Sequence, residues 1–188
     1  MIERTLVVIK PDGTYRALIG KVISTMEDAG LKIVGLKMVL PDEEVIGKHY
    51  VADEEYLESI GAKNIKSYKE KGVELKESAL EIGQRVRGYL LKYLMSGPVV
   101  AMVVEGNDAI FVVRKLIGTT EGKKADPSSF RGKHSSDSYE LADLKKRAVR
   151  NLVHISEDPK NAEREISLWF KKKELLDYKR VDEHILYD

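Results

Sequence analysis

The chain contains no cysteine in 188 residues. That excludes a disulfide framework, a zinc site built on thiolates and a cysteine nucleophile. Histidine is scarce, with four residues, too few for a His-rich centre, so no metal held directly by the protein is expected. No apolar run approaches the roughly 20 residues of a membrane-spanning helix, and no membrane partner is expected. Met1-Ile2-Glu3-Arg4 opens into a strand-like run rather than a signal peptide, which fits a cytoplasmic location. An excess of one charge is also missing. Lys+Arg 32 against Asp+Glu 31 leaves +1, so no whole-chain field draws the protein to nucleic acid or an anionic surface. Aromatic residues make up 7%, thin for the stacking platform of an RNA-binding sheet, and no specific nucleic-acid partner is expected.

What is present is a chain that is 43% hydrophobic and 34% charged, against about 25% charged in a typical domain. The length suits one well-buried core, so residues 1–188 are read as a single domain. Thr5-Leu-Val-Val-Ile9 reads as a buried strand ending in a loop at Lys10-Pro-Asp-Gly13. Leu18, Ile19, Val22, Ile23, Met26 and Ala29 recur at helical spacing, with Gly30 at the C-cap. Residues 32–40 alternate as a second strand and Pro41 ends it. Helices are expected over 42–50, 78–95, 108–117 and 161–170, a central strand over 99–104 and a short one over 151–154. This order fits an α+β, ferredoxin-like fold: a four-stranded antiparallel sheet with helices packed on it, expected on one face. Two charged stretches, approximately 53–77 and 133–147, fit poorly and read as surface insertions.

Phosphate binding is the first chemistry to test. Gly118-Thr-Thr-Glu-Gly-Lys-Lys124 superficially resembles a Walker loop, but only three residues separate its glycines and no Ser or Thr follows the Lys. It also follows a helix rather than a strand, so it is set aside. A better constellation is Asn151-Leu-Val-His154-Ile-Ser156-Glu-Asp158-Pro159, where a short strand leads into a helix capped by Asp158 with Pro159 in its first turn. A His near that helix N-terminus and neighbouring cations would be kept neutral and nucleophilic. Local sequence alone leaves a partly buried loop histidine equally open.

The wider pattern decides between them. Asn151, His154 and Ser156 resemble the active-site stretch of the nucleoside diphosphate kinase family. Glu3-Arg-Thr-Leu-Val-Val-Ile-Lys-Pro-Asp-Gly13 resembles its first strand and Lys-bearing loop, His49-Tyr50-Val51 its His-Tyr segment, and Ser96-Gly-Pro-Val-Val-Ala-Met102 its third strand. Phe130-Arg131-Gly132 and residues 162–170 resemble its Ile-Arg-Gly element and C-terminal helix. These motifs stand in the family's order along most of the chain.

The resemblance implies a kinase that moves the γ-phosphate of a nucleoside triphosphate to a nucleoside diphosphate by a ping-pong route through phospho-His154. It implies that Lys10, Arg114, Thr120, Arg131 and Asn151 hold phosphates and ribose, and that Lys10, Tyr50, Asn151, Ser156 and Glu165 belong with His154 to the catalytic set. Mg²⁺ would ride on the nucleotide phosphates, and a homo-oligomer, a tetramer or hexamer built from dimers, is implied. Ile155 and Glu157 stand where the family has Gly and Asp, Glu121-Gly122 where it has Asn and Pro, and Val149 where it has Gly. The family's base-stacking aromatic falls beside the first insertion, with Val86 and Tyr89 both open in its place. The competing reading is a silent ferredoxin-like module that binds nucleotides for regulation; His154 standing together with Lys10, Arg114 and Arg131 argues against it.

Overall fold

The computed structural model describes residues 2–70 and 72–187, and of 187 the backbone alone. The elements run β1 (Ile2–Ile9), α1 (Pro11–Tyr15), α2 (Ile19–Asp28), β2 (Lys32–Val39), α3 (Glu43–His49), α4 (Glu54–Lys69), α5 (Ala79–Leu94), β3 (Val99–Asn107) and α6 (Ala109–Ile117). Then come α7 (Phe130–His134), α8 (Tyr139–Leu144), β4 (Val153–Ile155), α9 (Pro159–Trp169) and α10 (Glu183–Tyr187), with 3-10 turns at Gly122–Lys124 and Lys172–Glu174.

The four strands form one sheet in the order β2-β3-β1-β4, every neighbouring pair antiparallel. This is the split βαβ arrangement expected. The expectation of helices on one face needs correcting, because both faces are covered. Val7 and Ile9 of β1 and Val100, Met102 and Val104 of β3 pack with Val22, Met26, Val113 and Ile117 of α2 and α6. The alternate residues Leu6, Val8, Val99, Ala101 and Val103 pack with Ile46, Leu94 and Trp169 of α3, α5 and α9. Side chains in a strand alternate between faces, so an unbroken apolar run requires cover on both. Each fully buried Val, Leu or Ile contributes about 1.5–3 kcal/mol relative to exposure, and this two-sided core holds the site's framework.

Three local features shape the site. Pro11 does not merely end β1. It occupies the first position of α1, where its missing N–H costs nothing, so the loop expected at 10–13 is a short helix with Lys10 at its N-cap. The stretch 53–77 supplies α4, capped by Asp53. α5 begins with a capping box between Ser78 and Glu81. α4 and α5 cross at backbone contact: a Cβ on Gly61 would meet the Ala79 carbonyl at 1.8 Å, and one on Gly83 the Leu57 carbonyl at 2.0 Å.

Candidate active site

β1 and β4 pair so that Val8 faces His154 in register. The β1 end thereby delivers Lys10 beside the strand carrying the His, and the Lys10 N–H donates to the Leu152 carbonyl at 2.8 Å. Leu152 is buried at φ +69°, a left-handed conformation that costs a leucine about 1–3 kcal/mol. The turn it makes directs both ends of Asn151 to use. The Asn151 side chain accepts from Lys10 Nζ at 2.8 Å and donates to the Thr120 carbonyl at 3.2 Å, while its own carbonyl accepts from Arg131 Nε at 2.9 Å.

Arg131 also donates through Nη1 to the Gly118 carbonyl at 2.6 Å and through Nη2 to the Val153 carbonyl. Three carbonyls therefore fix the guanidinium plane and leave part of its five-donor set for a ligand. Burial pulls Arg131 down to about 10, so it stays charged at neutral pH. Lys10 goes further: burial first, then the Arg131 charge, outweigh the pull of Asp12 and lower it to about 7. Its ammonium lies 5.3 Å from the centroid of the Tyr93 ring. Buried cations with little counter-charge are able to receive an anion.

His154 is partly exposed, at 18% of its side chain. Its Nε2 lies 2.9 Å from Glu165 Oε2, and the same oxygen accepts from Ser156 Oγ at 2.8 Å. Ser156 is itself tied to β1, accepting from the Leu6 N–H at 3.3 Å. Burial alone would raise the Glu165 carboxyl, but His154 first, and then the Ser156 hydroxyl, outweigh it and hold the group at about 2. An ionised carboxylate can only accept, so Nε2 carries a proton, and in the neutral form of the ring the lone pair sits on Nδ1. Nδ1 has no hydrogen-bond partner among the described residues. The local sequence points to the N-terminus of α9 and neighbouring cations as influences on His154; the group that touches the ring is Glu165, nearly two turns inside that helix, which the family resemblance places around the His.

Tyr50 is buried with its ring edge-on to His154 at 6.4 Å. Arg87 of α5 holds this corner by donating to the carbonyls of Tyr50 at 2.7 Å, Val51 at 3.1 Å and Gly47 at 3.3 Å, capping the C-terminal end of α3.

These groups open into a cleft of about 670 Å³. Of the residues singled out in the sequence, Lys10, Tyr50, Arg114, Thr120, Arg131, Asn151, His154 and Glu165 all line it. Ser156 does not; it sits behind Glu165. Arg114 is exposed and reaches the Glu157 carbonyl at 3.4 Å. The cleft is also walled by Tyr56 and Ile60 of α4, Val86 and Leu90 of α5, and Tyr139 and Ala142 of α8. Between the two substitutes for a base-stacking aromatic, Val86 lines the cleft and Tyr89 does not. The walls from α4 and α8 come from the two charged stretches, whose sequence gives no sign of a lining role. Lys63 of α4, which also lines the cleft, pairs with Glu157 at 3.0 Å.

The cleft offers little to a hard cation. Its carboxylates are Asp126, Asp143, Glu157 and Glu165. Asp126 binds the Ser128 turn, Asp143 the Tyr68 hydroxyl, Glu157 binds Lys63, and Glu165 binds His154 and Ser156. Mg²⁺ requires near-octahedral oxygen ligands, and these paired, scattered groups fit an ion carried on a ligand's phosphates rather than one seated on the protein.

A sequence model of the family described as nucleoside diphosphate kinase matches residues 3–72 and 80–175. A curated relative of that name from Pyrobaculum aerophilum is 45% identical over 181 residues, covering 94% of this chain and 99% of that protein. Among solved structures, an NDP kinase from Pyrobaculum aerophilum superposes with a TM-score of 0.88 at 43% identity, covering 94% of this chain and 100% of the other. A transition-state mimic of the nucleoside-diphosphate kinase from Borrelia burgdorferi, with bound vanadate and ADP, gives a TM-score of 0.81 at 37% identity, covering 99% and 97%.

Proposed function

The chain belongs to the nucleoside diphosphate kinase family, and from that premise we propose how its own residues carry out the reaction. The activity is transfer of the γ-phosphate of a nucleoside triphosphate to a nucleoside diphosphate in two half-reactions. His154 Nδ1 attacks the γ-phosphorus, the bond to the β,γ-bridging oxygen breaks, and the diphosphate leaves. A second diphosphate then attacks the phosphohistidine with a β-phosphate oxygen, the P–N bond breaks, and a new triphosphate forms. The carrying observation is the 2.9 Å contact of Nε2 with Glu165, which reserves Nδ1 as nucleophile and balances the positive charge that builds on the imidazole. Lys10, Arg131 and Arg114 take the charge of the equatorial oxygens. Asn151 and Thr120 hold phosphate and ribose, Ser156 keeps Glu165 in place, and Tyr50 limits rotation of the His154 ring. Mg²⁺ enters as part of the substrate, on the phosphates, and supplies charge neutralisation there.

The charged stretches at about 53–77 and 133–147 act as elaborations of one domain that close the base end of the cleft with α4 and α8. The wall is largely apolar, with Ile60, Val86, Leu90 and Ala142 beside Tyr56 and Tyr139, in keeping with broad base specificity. The protein works as a homo-oligomer built from dimers, either a tetramer or a hexamer. β2 is an edge strand on which Leu36 and Met38 stand exposed, with exposed Leu40 just beyond its end, the kind of edge that is covered by another chain. No helix among the described residues is long and apolar enough to cross a membrane, and we place the enzyme in the cytoplasm with its nucleotides. The test is incubation with Mg²⁺ and γ-labelled ATP: an acid-labile phosphoenzyme should form, discharge on adding GDP, and be absent from His154→Ala. Stable ATP binding without transferable label would leave a regulatory nucleotide-binding module instead.

A further inference from the structure

His49 closes α3 beside the reacting histidine, is 1% exposed, and has no part in the mechanism above. Its Nδ1 lies 3.2 Å from Trp169 Nε1. An indole N–H only donates, so Nδ1 is the unprotonated nitrogen of His49. Burial first, with the neighbouring His154 and Arg164 charges against that of Glu165, pushes the ring well below the ordinary histidine range. A neutral ring accepting at Nδ1 carries its proton on Nε2. That nitrogen is buried and has no hydrogen-bond partner among the described residues. A buried N–H without a partner costs about 1–3 kcal/mol, unless something softer receives it. The ring against His49 is His154 itself, with centroids 4.3 Å apart and planes at 76°.

His49, His154 and Glu165 also bring potential ligand atoms within 4.8 Å of one another, which raises the alternative of a transition-metal site. The tautomer opposes it. A metal needs a lone pair on His49 Nε2, and moving the proton to Nδ1 would set it against the Trp169 N–H.

We propose that His49 is a positioning residue for the reaction: Trp169 fixes its tautomer, and its Nε2–H bears on the His154 imidazole, so that the phosphate-accepting ring is held between His49 and Glu165. The inference rests on His154 being the phosphoryl acceptor. Glu165 fixes one point of the ring, and Tyr50, with its centroid 6.4 Å away against 4.3 Å for His49, limits rotation about that hydrogen bond only in part. The edge-to-face contact with His49 removes that rotation and keeps Nδ1 on the line of attack. Trp169, which the sequence presents only as core, thereby joins the site through His49.

Two variants of the full chain separate this from a packing role. His49→Phe keeps a ring of similar size but removes both nitrogens, and Trp169→Phe removes the donor that sets the tautomer. The expected result is a roughly tenfold slower phosphoenzyme formation from γ-labelled ATP in each, with KM for the nucleotide unchanged, since small misplacement of reacting atoms is felt in the chemical step. His49→Gln, which restores an N–H donor, should recover part of the rate. In parallel, ¹⁵N NMR of the wild type should show His49 protonated at Nε2 and not at Nδ1, and Trp169→Phe should mix the two tautomers. Rates within twofold of wild type in both variants, or a loss confined to KM, would overturn the proposal. So would an unprotonated Nε2, or stoichiometric Zn²⁺ shifting the His49 signals in place of a proton. A wild type that forms no phosphoenzyme would remove the reading of His154 and this role with it; that failure shows in the wild type itself, whereas failure of the His49 role alone leaves the wild type active and the variants equally fast. If His49→Phe does not fold, Trp169→Phe and the NMR measurement decide.

Discussion

Nucleotide binding at this site should take up a proton. Lys10 is 4% exposed and lowered to about 7 in the free enzyme, with burial and Arg131 as causes. A phosphate placed against its ammonium supplies the missing counter-charge and returns it toward its ordinary value of about 10.4. At pH 8 a group titrating at about 7 is roughly one-tenth protonated, and in the complex it is almost fully protonated, so binding should absorb about 0.9 proton per site. The sign follows from the lowered value: the free enzyme holds fewer protons than the complex above about pH 7, so affinity falls as pH rises. The apparent Kd for ADP should rise about tenfold from pH 8 to pH 9, where the nucleotide's own phosphates, titrating near 6, are already ionised. Calorimetric titration with ADP in HEPES and in Tris, whose ionisation enthalpies differ, measures the proton count directly. Lys10→Met should abolish the buffer dependence and weaken binding by about ten- to a hundredfold, the worth of a charge-assisted hydrogen bond. Equal heats in the two buffers, or the same uptake in Lys10→Met, would refute the reasoning.

Glu165→Gln should slow phosphoenzyme formation by at least tenfold and change the acid limb of stability. Glu165 is lowered from 4.5 to about 2, so its contribution of about 3 kcal/mol is complete above about pH 4.5 and is lost as pH falls through about 2. Acid unfolding followed by circular dichroism should be shallower over that window in the variant, and superimposable curves would contradict the pairing. Gly83→Ala forces a methyl against the Leu57 carbonyl at 2.0 Å and should lower Tm by about 3–10 °C, the effect of about 1–3 kcal/mol of overpacking. Gly88→Ala, on the same helix with nothing within 4 Å, should instead stabilise by about 0.5–1 kcal/mol. A Gly83→Ala protein as stable as wild type would mean that the α4–α5 crossing is looser than backbone contact.

What is legible in the sequence follows from strong periodicity and separated motifs. β1, β3, α2 and α6 carry dense apolar patterns, and each is located to within a few residues. The polar residues that line the cleft can be named because they stand on several short motifs in a fixed order. α4 escapes a sequence reading because its buried face is Leu57, Gly61, Asn64 and Ser67. Only one of those is a large hydrophobe, since a close crossing over glycines buries backbone and small polar groups rather than side-chain bulk. α1 escapes it because Pro11 reads as a strand stop and not also as a helix start. The cover on both sheet faces could have been inferred from Val99 to Val104, which is apolar at every position. The pairing of Trp169 with His49 has no local signal, because 120 residues separate them.

The central claim is that Glu165 reserves Nδ1 of His154 as the phosphoryl acceptor. ³¹P and ¹⁵N NMR of the enzyme charged with ATP and freed of nucleotide tests it most directly. The account predicts a single phosphohistidine, on Nδ1 of His154, that vanishes on adding a nucleoside diphosphate. Phosphate on Nε2, or on any other residue, would contradict it.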